Sequence, residues 1–146
     1  MRVSASAGRG LAVLKCNRGV AVGDLDNDGD PDLVVSAMDE PPTLLENVQQ
    51  TGNHWLGLQL RKPSGNRFAI GARVTVTGDG RQQVREVRSG GGYLSQNDLR
   101  ALVGLGDAGG PVDVEVRLQR RRWRFAGLAA DRYHTLHLDE AHAVRP

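Results

Sequence analysis

Five aspartates fall within nine residues at Asp24-Leu25-Asp26-Asn27-Asp28-Gly29-Asp30-Pro31-Asp32. Calcium takes six to eight oxygen ligands, and carboxylates at alternating positions of a tight loop can converge on one point while the residues between them face outward. Asp24, Asp26, Asp28 and Asp32 stand at loop positions one, three, five and nine and would supply side-chain oxygens. Asp30, at position seven, would contribute its backbone carbonyl, and Gly29 at position six permits a sharp reversal that a Cβ would resist. A solvated acidic turn needs only one or two aspartates, whereas five held this close repel one another unless a cation lies among them.

The flanks decide which kind of calcium loop this is. A helical EF-hand carries a bidentate glutamate at position twelve, but that position is Val35, within Leu33-Val34-Val35. Val20-Ala21-Val22 precedes the loop, so β-branched apolar residues stand on both sides and the ion is expected in a strand-to-strand turn. There it would brace the turn rather than activate a substrate.

Other groups capable of chemistry make weaker patterns. The histidines at 54, 134, 137 and 142 have no metal-ligand spacing, and His134 and His137 would point to opposite faces of a strand. Ser89 and Ser95 lie near glycines without a GxSxG elbow, and no serine, histidine and acid constellation emerges. Cys16 is the single cysteine, which excludes an intrachain disulfide and reads as a buried or incidental thiol. Residues 89–98 form the richest loop, with glycines, Tyr93, Gln96 and Asn97. Such a loop could bind a carbohydrate, but a structural role is favoured, with Gln96 or Asn97 satisfying exposed backbone groups. Arg120, Arg121, Arg122 and Arg124 interleave with Trp123 and Phe125, superficially like a nucleic-acid surface. On an extended chain the two aromatics face one way and Arg122 and Arg124 the other, the pattern of an exposed strand whose charges discourage edge pairing.

The elements that must position these groups read as all-β. Apolar runs are short and β-branched, glycine reaches 19 residues, and no long window sustains a 3.6-residue period. Strands are predicted at residues 19–22, 33–36, 43–47, 55–60, 72–77, 82–87, 101–105, 112–118, 123–125 and 133–138. Leu56, Leu58 and Leu60 alternate with Trp55, Gly57 and Gln59, and Val112, Val114, Val116 and Leu118 share one face. Gly78-Asp79-Gly80 should close a hairpin between 72–77 and 82–87.

Length allows one ordinary domain or two small ones in series. The polar stretch Gln49-Gln50-Thr51-Gly52-Asn53 suggests a boundary. With 19 basic and 17 acidic residues the net charge is only +2, and arginine supplies 17 of the basic side chains, so nucleic acid is not the expected partner. No run approaches a membrane span, and Gly8, Arg9 and Gly10 interrupt what would be the apolar centre of an export signal. The acidic loop occurs once, so any repeat array is represented here by one repeat.

The string Val22-Gly23-Asp24-Leu25-Asp26-Asn27-Asp28-Gly29-Asp30-Pro31-Asp32-Leu33 resembles the calcium loop of FG-GAP or VCBS repeats, which form blades of integrin-like β-propellers. Asn53-His54-Trp55-Leu56, Asn66-Arg67-Phe68-Ala69-Ile70-Gly71-Ala72-Arg73-Val74, Gly91-Gly92-Tyr93-Leu94-Ser95-Gln96-Asn97 and Gly104-Leu105-Gly106 are similar to the ASPIC/UnbV domain that follows such propellers in cartilage acidic protein relatives. Two departures stand out: Leu118-Gln119-Arg120-Arg121 replaces a Trp-Pro-x-Gly hairpin turn, and Val103 replaces a phenylalanine before Gly104.

The resemblance implies a terminal FG-GAP/VCBS repeat in residues 1–50, an ASPIC/UnbV-like β-sandwich module in 51–140 and a tail at 141–146, with further propeller blades upstream. It implies Ca2+ held at Asp24, Asp26, Asp28, Asp30 and Asp32. It also implies an extracellular, periplasmic or cell-surface location, and adhesion or binding of a protein or carbohydrate ligand rather than catalysis. The alternative within the same resemblance is the C-terminal part of a propeller-type enzyme in enediyne-like natural-product biosynthesis.

Overall fold

The computed structural model describes residues 8–140 and 142–144. Residues 1–7 of the stretch weighed against an export signal, and residues 141, 145 and 146 of the expected tail, lie outside them. Strands form at each of the ten expected places: β1 (Asn17–Gly23), β2 (Asp32–Ala37), β3 (Thr43–Leu45), β4 (His54–Arg61), β5 (Arg73–Gly78), β6 (Arg81–Glu86), β7 (Ala101–Gly106), β8 (Val112–Leu118), β9 (Arg121–Leu128) and β10 (Tyr133–His137). Regular helix among the described residues is limited to one four-residue 3-10 turn, Arg9–Ala12. The chain is all-β, as expected, and divides into two compact units.

The first unit contains the described residues up to Asp26, with Asp30–Gln49 and Gly90–Asp98. Its sheet runs β1-β2-β3, antiparallel throughout, which is the partial blade the resemblance implied. β3 stops at Leu45 rather than at residue 47, because the Asn47 amide donates to the Asp32 carboxylate (2.8 Å) and leaves the ladder. The outer side of β1 is met by the glycine-rich segment. The Val22 amide donates to Asn97 Oδ1 (3.0 Å), and the Asp98 amide donates to the Val22 carbonyl (2.9 Å). A Cβ on Gly19 would run into Ser95 Oγ and the Tyr93 carbonyl, so only glycine lets the segment lie this close. The segment thus pairs with the backbone N–H and C=O of Val22 on this edge strand.

This unit has no hydrophobic side chain among its buried described residues; the buried ones are Asp24 and Asp32. Leu11, Leu44 and Val48 are exposed and, with Leu33 and Leu45, line a groove of about 800 Å³ that Glu46, Asn47 and Gln49 also border. Cys16 is exposed, which removes the buried reading and leaves the incidental one.

The second unit contains Asn27–Gly29, Gln50–Ser89 and the described residues from Leu99 onward. Two sheets, β10-β4-β7 and β6-β5-β8-β9, close over one core. Leu56, Leu58, Leu60 and Val103 from the first meet Val74, Val76, Val114, Val116 and Trp123 from the second, all essentially buried. This is the β-sandwich-like module, and the alternation in 55–60 and 112–118 buries the faces expected of it. β10 pairs parallel with β4 over Tyr133–His137, at a separation that local pattern could not anticipate.

The hairpin predicted at Gly78-Asp79-Gly80 is present. Asp79 and Gly80 have φ of 47° and 68°, the two left-handed residues a tight turn needs to match strand twist. The β8–β9 hairpin also closes, with Gln119 at φ 56° in place of a Trp-Pro-x-Gly turn. β9 is longer than residues 123–125 because the whole of β8 pairs with it across one bulge. Trp123 is buried while Arg122 and Arg124 are exposed, on an edge strand as expected. Asn66 locks the turn before β5: its side chain accepts from the Ile70 amide (2.9 Å) and donates to the Ile70 carbonyl (2.7 Å).

His54 and Asp131 join the start of β4 to the β9–β10 connection. His54 Nδ1 lies 2.7 Å from Asp131 Oδ2, and the Trp55 amide donates to Asp131 Oδ1 at 3.2 Å. The hydrogen bond from His54, with a smaller one from the Trp55 amide, holds the Asp131 carboxyl below its ordinary value of 3.8. A carboxyl depressed in the folded state adds stability that is present above the unfolded value and lost as pH falls through the folded one. Asp131→Asn is therefore expected to lower stability at neutral pH, with the gap to the parent narrowing as pH drops below the ordinary carboxylate range. Urea melts across pH would check this, and a gap that stays constant into acid would count against it.

Candidate metal centre

The acidic loop spans the turn between β1 and β2, whose ends Gly23 and Asp32 are directly paired. Antiparallel pairing up to that rung forces the intervening chain to turn back on itself. Asn27 (φ 65°) and Gly29 (φ 96°) take the left-handed conformations that make the turn. Gly29 has a second reason to lack a side chain: a Cβ there would enter the indole ring of Trp55. Arg100 donates to Asn27 Oδ1, and its guanidinium lies 4.1 Å over the Tyr133 ring, which in turn contacts Trp55 at 5.2 Å between centroids.

Within this frame Asp24, Asp26 and Asp28 come together, each offering a carboxylate oxygen within 4.8 Å of the others. Calcium–oxygen distances of about 2.3–2.6 Å place two ligands of one ion no more than about 5 Å apart, so the spacing fits a shared cation. Asp24 is buried, and Asp26 and Asp28 are exposed, which leaves the cluster open on one side. Each pair of like charges at this range costs about 1 kcal/mol even in water, and more in a lower dielectric.

Asp30 and Asp32 stand outside that group of three. Asp32 is 3 % exposed, and both its oxygens accept backbone amides: Oδ2 from Leu25 (2.9 Å) and Oδ1 from Asn47 (2.8 Å). It ties the start of the loop to the segment just after β3. A carboxylate offers about four lone-pair sites, so these two bonds leave capacity for an ion as well. Sequence reasoning did not find this bracing role, nor the parts of Asn27, Trp55, Arg100 and Tyr133. Only the inclusion of Asn27 in the calcium-loop string and of Trp55 in the Asn53-His54-Trp55-Leu56 string pointed at any of them. The histidines do not assemble: His54 pairs with Asp131, His142 with Asp139 (2.7 Å), and His134 Nε2 lies 2.8 Å from the Ala129 carbonyl.

Two family models match the chain. Residues 17–55, which hold β1 to β3 and the acidic loop, match the FG-GAP repeat. Residues 62–143, more than half of the chain, match ASPIC and UnbV. The chain belongs to the ASPIC and UnbV family. No curated protein matches it. An FG-GAP repeat followed by an ASPIC/UnbV domain makes this a propeller-type module, with an aspartate cluster in the repeat and, among the described residues, no helix long and apolar enough to cross a membrane. Within the ASPIC/UnbV match, the residues 66–74 string forms the Asn66-locked turn leading into β5.

Proposed function

We propose that this chain is a calcium-stabilised, non-catalytic binding or adhesion module of an extracellular or cell-surface propeller-type protein. The observation that carries the reading is the convergence of Asp24, Asp26 and Asp28 at the tip of a strand-to-strand hairpin. Asp30, through its carbonyl, and Asp32 complete the oxygen set, and the ion holds the hairpin in shape rather than acting on a substrate. Residues 1–50 serve as the terminal FG-GAP repeat, 51–140 as the ASPIC/UnbV domain and 141–146 as a tail. The repeat's exposed Leu11, Leu44 and Val48, beside a sheet that buries no hydrophobic side chain among the described residues, support a role for preceding propeller blades as their cover. The partner bound by the assembled protein is another protein or a carbohydrate.

Calcium titration followed by melting tests the metal. With a dissociation constant on the order of 10⁻⁴ to 10⁻³ M, 10 mM calcium adds about 1.4–2.7 kcal/mol of stability. Asp28→Ala, at an exposed position, removes that gain and changes little in chelator. Absence of any heat of calcium uptake, or an equal loss for the variant in both conditions, would sink the reading.

A further inference from the structure

The sheet β6-β5-β8-β9 turns one face to the core and the other outward, and the outward face carries an arrangement that folding alone does not favour. Cross-strand register places Arg73 opposite Arg117 and Arg117 opposite Arg122, so three guanidiniums stand side by side across β5, β8 and β9. All three are exposed. Like charges directly opposite one another on a sheet are destabilising. The nearest acids form their ion pairs with other arginines: Glu86, opposite Arg73, with Arg88 (2.6 Å), and Glu115 with Arg124 (3.0 Å). None of Arg73, Arg117 and Arg122 has an ion-pair partner among the described residues.

Next to this row the same face changes character. Thr75 pairs with Glu115, and Thr77 with Gln82 and Asp113, so hydroxyl, amide and carboxylate groups adjoin Arg73 and Arg117 along a groove of about 610 Å³, with Arg122 beyond its lining. Guanidinium forks match sulfate and carboxylate oxygens, and the neighbouring acceptors match sugar hydroxyls. Asp113 and Glu115 would repel a continuous polyphosphate, and the aromatic ring that lines the groove, Phe125, is half-buried and stacked on His142 rather than open to a base.

We propose that this outer sheet face binds an acidic polysaccharide, its anionic groups over the Arg73–Arg117–Arg122 row and its hydroxyls over Thr75, Thr77 and Asp113. The assignment names a ligand for the binding module and in that sense rests on that reading, but it uses no residue of the acidic loop.

The test uses the full chain and sulfated dextran oligosaccharides of defined length, with unsulfated dextran and duplex DNA of matched charge beside them. Sulfated dextran is expected to bind equally in calcium and in chelator. Arg73→Gln/Arg117→Gln weakens it by about tenfold or more, while Arg67→Gln/Arg132→Gln, which removes the same charge elsewhere, changes it by less than about twofold. Without ligand, Arg117→Gln alone raises the melting temperature by about 1–2 °C, since it relieves the repulsion. No binding of sulfated dextran, equal weakening by both double variants, DNA bound as tightly through the same arginines, or a lowered melting temperature for Arg117→Gln would each overturn the proposal. Binding that requires calcium would overturn it too, whereas a failed calcium titration with intact binding would remove only the metal.

Discussion

Trp123→Ala is expected to cost about 3–5 kcal/mol, the usual range for emptying an aromatic site in a core. Trp123 is 1 % exposed, the largest fully buried side chain, and lies opposite Val116 where β9 pairs with β8. Its Nε1 donates to the Asp139 carbonyl at 2.8 Å, so truncation both opens a cavity and removes the partner of that carbonyl. For a chain of this length such a loss shifts the melting temperature by about 10 °C or more. Trp123→Phe keeps much of the packing and forfeits the hydrogen bond, so it should fall between the parent and the alanine variant. A cost below about 1 kcal/mol for alanine, measured by urea denaturation, would mean that the indole is not the keystone its burial indicates.

Asp32→Ala is the second large effect, and it separates bracing from metal binding. Removing the carboxylate leaves the part-buried amides of Leu25 and Asn47 without their acceptor, at up to about 1–3 kcal/mol each. Most of that loss should persist in chelator, in contrast to Asp28→Ala, with a further decrement when calcium is present. Asp32→Asn restores a single acceptor and should recover only part of the stability. If the alanine variant matched the parent in chelator, the two amide bonds would not be what holds the loop to the segment after β3.

Much of the architecture was legible in residue order because its causes are local. Alternation in Leu56, Leu58 and Leu60 and in Val112, Val114 and Val116 marks a buried face wherever the strand lies. Asp79-Gly80 can only be a tight turn, since both adopt positive φ at little cost. The alternating aspartate spacing and Gly29 made a shared site for Asp24, Asp26 and Asp28 legible within one short loop.

What the tertiary structure decided are the pairings between groups far apart in the chain. Nothing near Asp32 announces that the Asn47 amide will claim it and end β3 early, and nothing near Val22 announces Asn97 and Asp98. His54 and Asp131 are 77 residues apart, and the adjacency of Arg73, Arg117 and Arg122 exists only once β5, β8 and β9 are in register. Local pattern determines which side of a strand is apolar and where the chain can turn. Which strands become neighbours depends on how the whole set of apolar faces can be buried at once, and only that packing selects the partners of the polar groups carried along with them.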